Sequence, residues 1–156
     1  MLTGWRIVPE DQAANAFDGE GARLYGGRWN SSGVALVYAS EHQSLAALET
    51  RVHIDTTKKL NRYKCFAFHF DDALMEIFPV RNLPKDWRQE PPPPAIQQLG
   101  DVWVKAAKSA ILAVPSIIIP DELNYLLNPK HPDFAKIKID KPTDFVFDQR
   151  LLKQPW

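Results

Sequence analysis

Alternating apolar and polar residues, together with short apolar runs, predict several strands at separate places in the chain. Residues 5–8 and the apolar run 34–39 each fit a strand. Tyr63–Phe70 alternates most clearly, because its three phenylalanines fall on one face. Residues 117–119 fit another buried strand, and residues 136–147 fit two more. The pattern therefore predicts a sheet built from short strands.

A helix is predicted directly after the second strand. Ser40 and Gln43 fit a Ser-x-x-Gln capping box, so the helix is expected to be capped by Ser40. Its buried face then carries Leu45, Leu48 and Val52.

Glycine and proline mark the remaining segments. Residues 19–33 hold five of the seven glycines and are predicted to form a loop. The proline tract 91–94 predicts a stiff, extended connector in which Pro94 can begin a helix. Beyond it an apolar stripe at helical spacing comprises Ile96, Leu99, Trp103, Ala106 and Ala110. Strands and helices mix without regular alternation, so we predict an α+β fold.

Composition limits the class of protein. The 156 residues, 45% of them hydrophobic, suit a single domain over residues 1–156. The 19 Lys and Arg residues balance the 19 Asp and Glu residues, which argues against nucleic acid or an anionic membrane as a partner. We interpret the short basic run of Lys58, Lys59, Arg62 and Lys64 as a solvated face. Neither a signal peptide nor an apolar run of ~20 residues is found, so we expect a cytoplasmic protein.

Several common kinds of catalytic site are excluded. Gly19 and Gly21 begin like a dinucleotide fingerprint, but Leu24 occupies the place of the third glycine. A phosphate-binding P-loop and a nucleophile elbow are absent, and the four histidines lack metal spacing. Cys65 and His69 are four strand residues apart, about 13 Å, which is too far for a nucleophilic dyad. Core packing is the preferred role for Cys65.

Four polar residues are candidates for a site. Arg28 follows paired glycines, which let backbone approach a ligand while the guanidinium binds a phosphate; a solvated arginine in a turn fits equally well. Glu49 borders the apolar helix face, where a carboxylate either pairs with Arg28 or Arg51 or lines a cleft. Ser116 precedes a buried run and needs a hydrogen-bond partner, for which a backbone carbonyl would suffice. Tyr38 fits either the core or a site.

The segments around these residues resemble the RES domain family. The resemblance extends from about Trp5 to Leu151 and follows the family's order. It is carried by residues 19–22, 26–33, 37–40, 44–49, 114–116, 124–134 and 147–151. The family takes its name from an arginine, a glutamate and a serine, which match Arg28, Glu49 and Ser116.

The resemblance implies a fold, a partner and a reaction. It implies a twisted mixed sheet with flanking helices, similar to the diphtheria-toxin-like ADP-ribosyltransferases. RES proteins are toxins paired with Xre-type, helix-turn-helix antitoxins, which implies such a partner here and allows a toxin dimer within the complex. The family's activities are NAD⁺ hydrolysis or phosphorolysis and, in some members, ADP-ribosylation of a protein. The implied reaction is cleavage of the nicotinamide–ribose bond, with NAD⁺ as substrate, no cofactor and no metal.

The candidate residues suit that reaction. Positive charge develops on the ribose in an oxocarbenium-like transition state, and Glu49 would stabilise it. Arg28 would bind the pyrophosphate or an attacking phosphate, and Tyr38 would stack on nicotinamide. Ser116 would orient Arg28 or Glu49. Asn124 would bind the ribose or the nicotinamide amide.

Two alternative functions, from other classes of protein, stay open. An mRNA-cleaving toxin would need a basic, aromatic-rich face, and the balanced charge argues against one. A catalytically inactive partner of a DNA-binding protein would use the same motifs as an interface. Loss of NAD⁺, cleavage of RNA, or no reaction distinguishes the three.

Overall fold

The strands form one curled mixed sheet in the computed structural model, which describes residues 1–58 and 62–153. Its strands are β1 (Leu2–Pro9), β2 (Val37–Ser40), β3 (Tyr63–Phe70), β4 (Met75–Ile77), β5 (Ile111–Pro115), β6 (Leu123–Leu127), β7 (Lys138–Ile139) and β8 (Thr143–Phe145). The helices are α1 (Glu20–Tyr25), α2 (Gln43–Arg51) and α3 (Pro94–Ala106). Strand order is β4-β5-β6-β2-β1-β3-β7, with β8 also paired to β3. The β4–β5 pair is parallel and the other pairs are antiparallel, which confirms the predicted α+β class.

Strong alternation predicted several elements correctly. Strand β3 has the predicted bounds, β1 contains residues 5–8, and β7 and β8 are the two strands expected within 136–147. Helix α3 begins at Pro94, as the proline tract predicted, because the missing N–H of proline costs nothing in the first helical turn. The strand predicted at residues 34–39 is partly correct, since strand pairing starts only at Val37 and includes Ser40.

The predicted capping box at Ser40 is wrong. Ser40 is the last residue of β2 and pairs with Trp5 on one side and Asn124 on the other. Helix α2 instead has His42 as its N-cap residue, with no side-chain cap bond. The sheet therefore holds Ser40 in extended conformation, and the chain turns only after it.

The buried faces predicted for α2 and α3 also extend beyond the ends of these helices. Leu45 is buried under α2, but Leu48 is half-buried and Val52 is 60% exposed because the helix ends before it. Ala110 is buried but lies outside α3, since Ala107 adopts a left-handed conformation with φ 51° and ends the helix.

The strand predicted at residues 117–119 does not form. The paired strand is β5, which ends at Pro115 immediately before this run. The hydroxyl of Ser116 accepts hydrogen bonds from the N–H groups of Ile118 (3.0 Å) and Ile119 (3.1 Å), so a local turn replaces a sheet ladder. Strands β4, β5 and β6 were not predicted.

The predicted loop at residues 19–33 contains helix α1. Gly19 precedes it with φ +73°, a conformation that glycine adopts without the cost that a Cβ brings. Gly26 ends the helix at φ +72°. The glycines thus bound a short helix rather than a continuous loop.

Two apolar clusters hold the helices that surround the site. Helix α3 packs Ile96 and Trp103 against Leu112 of β5 and Leu126 of β6. A separate cluster lies beneath α2 and comprises Ile7, Ala46, Tyr63, Cys65 and Phe147, so Cys65 has the predicted packing role. Within residues 1–58 and 62–153, no helix has the length and apolar character needed to cross a membrane.

Candidate functional site

A cavity of about 310 Å³ lies between α2 and strands β1, β2 and β6. This volume is at the lower end of the range for small-molecule sites. Its polar wall includes Arg6, Tyr38, Ser40, Glu49 and Asn124. Trp5, Ile7, Ala46, Ile54 and Tyr63 supply apolar surface. The cavity therefore combines an apolar wall with a few polar groups that converge on it.

The carboxylate of Glu49 is held by two neutral donors. The Ser116 hydroxyl and the Asn124 Nδ2 each donate to Glu49 Oε1, both at 2.7 Å. Ser116 is wholly buried, and it reaches the cavity only through Glu49. Of the two predicted alternatives, pairing with Arg28 or Arg51 and lining a cleft, the structure shows the second. Among the described residues no cation pairs with the acid, and its Oε2 takes no part in either bond.

Ser40 and Asn124 extend this hydrogen-bond chain across the sheet. They are register partners on β2 and β6, and the Ser40 hydroxyl donates to Asn124 Oδ1 at 2.7 Å. That bond fixes the amide so that Nδ2 points to Glu49. Ser40 was not a predicted site residue, because the same residue also fits a helix cap. The binding of substrate by Asn124 stays a prediction.

Tyr38 lines the cavity, and two hydrogen bonds hold its hydroxyl. The hydroxyl donates to Asn30 Oδ1 at 2.6 Å and accepts from the backbone N–H of Trp29 at 2.9 Å. Burial raises the pKa of this phenol, although the nearby Arg28 charge lowers it in part. A Cβ on Gly27 would lie 2.6 Å from the hydroxyl oxygen, so only glycine fits there. The ring is thus held in one orientation.

Arg28 lies away from the cavity wall. Its Nη1 donates to the carbonyl oxygens of Gln89 (2.9 Å) and Trp87 (3.2 Å), and its Nη2 pairs with the Glu90 carboxylate. The side chain is only 12% exposed. Of the three residues that match the family's name, Glu49 and Ser116 are in contact, and Arg28 is held separately by the segment before α3.

Arg6 is a cavity residue that the sequence analysis did not identify. It lies on β1 between Trp5 and Ile7, and its guanidinium bonds to two backbone carbonyls. The available signal was a cation inside an apolar strand, a position that requires either solvent or a buried partner. In the described part of the chain, no three His, Cys, Asp or Glu side chains come together as a metal site.

Comparison with known proteins identifies the family. The family model described as RES domain matches residues 3–148. The chain belongs to the RES domain family. This RES protein is similar to a protein named Toxin Res from Yersinia enterocolitica, at 37% identity over 148 residues, covering 94% of this chain and 97% of the relative.

A second relative and a solved structure extend the comparison. The RES protein is 39% identical over 155 residues to a Sphingobium protein named Prs ADP-ribosylating toxin, covering 96% of each chain. Its fold matches a chain in the crystal structure of the M. tuberculosis MbcT-MbcA toxin-antitoxin complex, with a TM-score of 0.74 at 16% identity. That match covers 92% of this chain and 84% of the other, and it confirms the expected fold.

Proposed function

We propose that this RES protein is the toxin of a toxin–antitoxin pair and that it cleaves the nicotinamide–ribose bond of NAD⁺. The observation that carries the proposal is Glu49, a carboxylate held by Ser116 and Asn124 at the wall of the cavity. The relatives named Toxin Res and Prs ADP-ribosylating toxin support the toxin role, and the ADP-ribosylation in the second name supports NAD⁺ as substrate.

The Glu49 carboxylate suits the charge that develops in this reaction. As the bond to nicotinamide breaks, the ribose gains oxocarbenium character, and a fixed anion stabilises it more than it stabilises the neutral sugar. The two hydrogen bonds to Oε1 orient the group before substrate arrives, so little reorganisation is needed. Oε2 remains to face the ribose or to accept a bond from one of its hydroxyls.

Tyr38 and Arg28 complete the proposed binding of NAD⁺. The fixed ring of Tyr38 offers a flat surface on which nicotinamide can stack at low entropic cost. Arg28 lies outside the cavity wall, and we propose that it binds only one phosphate of the pyrophosphate, by exchanging the Glu90 carboxylate for a phosphate oxyanion. Asn124 contributes by holding Glu49 and lies close enough to the cavity to contact the ribose.

The acceptor of ADP-ribose has two candidate classes. Water or inorganic phosphate as acceptor gives depletion of NAD⁺. The Sphingobium relative, whose name describes an ADP-ribosylating toxin, favours a protein acceptor as the second candidate. Both share the cleavage step at Glu49 and differ only in the nucleophile that follows.

An antitoxin of the Xre type is the proposed partner, with a toxin dimer in the complex. The support is family membership and the structural similarity to a chain in a toxin–antitoxin complex.

Product analysis tests the proposed reaction. The purified protein, freed of antitoxin, is incubated with NAD⁺ alone, with inorganic phosphate, and with antitoxin-free cell extract, and products are identified by mass spectrometry. We expect free nicotinamide in at least one arm, together with ADP-ribose, ADP-ribose 1″-phosphate or ADP-ribosylated protein. Intact NAD⁺ in all three arms at stoichiometric enzyme concentration would refute the function.

A further inference from the structure

Arg6 is the one arginine or lysine on the wall of the Glu49 cavity among the residues described. Its Nε donates to the carbonyl of Ala16 and its Nη1 donates to the carbonyl of Tyr38, both at 2.6 Å. These two bonds hold the guanidinium in place from both sides. The wall of the cavity thus includes an arginine held by two hydrogen bonds as well as the carboxylate of Glu49.

The position of Arg6 follows from how β1 and β2 meet. In the described structure these strands share the single register pair Trp5↔Ser40. Beyond it the sheet opens, and the Arg6 guanidinium bonds to the Tyr38 carbonyl across the gap. The opening of the sheet and the cavity therefore coincide, with Arg6 at their common edge.

In the part of the chain that the structure describes, the hydrogen bonds of the Arg6 guanidinium go to neutral oxygens. A guanidinium carries five N–H donors, and the bonds to Ala16 and Tyr38 use two of them on neutral carbonyl oxygens. Burial lowers the pKa of Arg6 to about 10, although the Asp18 carboxylate raises it from a distance, so the group stays charged near neutral pH. A half-buried cation of this kind gains most from an anionic ligand, because an ion pair recovers part of the lost hydration.

We propose that Arg6 is the anion-binding residue of this cavity and that it binds a phosphate group next to the sugar held by Glu49. Identifying that phosphate rests on the proposed function: it belongs either to the pyrophosphate of NAD⁺ or to an inorganic phosphate acceptor. Arg6 and Glu49, both within the described chain, form no ion pair with each other, so both charges remain available to the ligand.

Ligand binding by Arg6→Gln and Arg6→Lys tests the assignment. Calorimetry measures Kd for ADP-ribose, for inorganic phosphate and for nicotinamide riboside, which lacks phosphate. We expect Arg6→Gln to weaken a phosphate-bearing ligand roughly 10- to 100-fold and to leave nicotinamide riboside unchanged, with Arg6→Lys in between. If only the affinity for ADP-ribose falls, the phosphate that Arg6 binds belongs to the pyrophosphate of NAD⁺. If only the affinity for inorganic phosphate falls, it is the phosphate acceptor. The exposed Arg150→Gln is the matched control and should behave as wild type.

The assignment fails if a folded Arg6→Gln protein binds both anions as tightly as wild type. Because Arg6 also connects Ala16 to Tyr38, circular dichroism establishes folding first. If neither Arg6 variant folds, an NMR measurement on the wild-type protein tests the assignment instead. With ¹⁵N-labelled arginine, the Arg6 Nε resonance should shift on adding inorganic pyrophosphate and not on adding nicotinamide. An unchanged resonance at saturating pyrophosphate would overturn the proposal.

The two proposals fail in distinguishable ways. Pyrophosphate binding at Arg6 without any NAD⁺ cleavage would support the anion site and refute the proposed reaction. Cleavage of NAD⁺ with unchanged kinetics in a folded Arg6→Gln protein would refute the anion site alone.

Discussion

The carboxylate of Glu49 is held by residues that are far away in sequence. Ser116 follows β5 and Asn124 lies on β6, yet both donate to Oε1. Ser116 also accepts two backbone N–H groups of the turn that follows it. One buried hydroxyl thus fixes both the turn and the acid, which makes Ser116 a positioning residue.

Replacing Ser116 should therefore affect stability and activity together. Ser116→Ala leaves the N–H groups of Ile118 and Ile119 without their acceptor and removes one bond to Glu49. We expect the free energy of unfolding to fall by about 1–3 kcal/mol and kcat to fall by up to roughly 10²-fold with a smaller change in KM. Urea unfolding and initial-rate kinetics measure the two effects.

Ser109→Ala is the matched control for Ser116→Ala. Ser109 is also buried and bonds to Trp103 and Glu76, away from the cavity. It should lose comparable stability and keep its kcat. Equal kcat in folded Ser116→Ala and Ser109→Ala proteins would show that Ser116 does not position Glu49.

Tyr38 gives a prediction for alkaline pH. Burial raises its pKa above the unfolded value, so the folded state favours the protonated phenol. The resulting stability is fully present below the unfolded pKa of about 10 and is lost as the pH rises above it. Tyr38→Phe should be less stable near neutral pH, because Asn30 and Trp29 lose their partner. Its stability should fall less steeply than that of wild type between about pH 10 and pH 12, as urea midpoints at each pH would show.

Single residues were predictable where the motif itself names them. Glu49 and Ser116 were identified as candidates, and of the two partners predicted for Ser116, Arg28 and Glu49, the structure shows Glu49. For Glu49 the sequence left an ion pair and a cleft open, because it shows which charges are near along a helix and not which neutral donors another strand brings. Arg6 was missed for the same reason, since its partners are backbone carbonyls.

Elements with strong periodicity were predictable, and those that depend on tertiary contacts were not. Strand β3 and helix α3 carry their period within their own residues. Strand β5 is followed directly by another apolar run, and only the Ser116 turn decides which of the two pairs in the sheet. Helix α1 was not predicted, because the glycines at its two ends also fit a loop.

The packing of α3 gives a prediction about glycine. A Cβ on Gly100 would lie 1.6 Å from the backbone oxygen of Trp29, so Gly100→Ala must displace the helix or the loop. We expect it to lower the free energy of unfolding by about 1–3 kcal/mol or more. The same substitution at Gly21 in α1 meets nothing within 4 Å and should stabilise by roughly 0.5–1 kcal/mol. Thermal unfolding of the pair measures this, and equal shifts would contradict the packing.

The whole molecule brings the site together through its strand order. In the order β5-β6-β2-β1, the strands that carry Asn124, Tyr38 and Arg6 are neighbours, although they are distant in sequence. Periodicity predicts that strands exist but not how they are ordered, so the α+β class was predictable and this arrangement was not. The sheet opening beside Trp5↔Ser40 is likewise a property of the assembled fold.

The proposed antitoxin should act by covering the cavity. We expect the toxin–antitoxin complex to bind ADP-ribose far more weakly than the free toxin, because the partner fills or seals the space between Arg6 and Glu49. Titration of free and complexed toxin with ADP-ribose measures this. Lys58→Ala, at an exposed position away from the cavity wall, should change neither affinity. Equally tight ADP-ribose binding by the complex would place the antitoxin elsewhere.

Nicotinamide release by wild-type and Glu49→Gln proteins tests the central claim most directly. The amide that replaces the carboxylate keeps an oxygen that can accept from Ser116 and Asn124, so the fold is preserved and only the charge facing the ribose is lost. We predict nicotinamide release by the wild-type protein and a rate lower by roughly 10²–10³-fold in the variant at unchanged thermal stability. A folded Glu49→Gln protein that releases nicotinamide as fast as wild type would contradict the account.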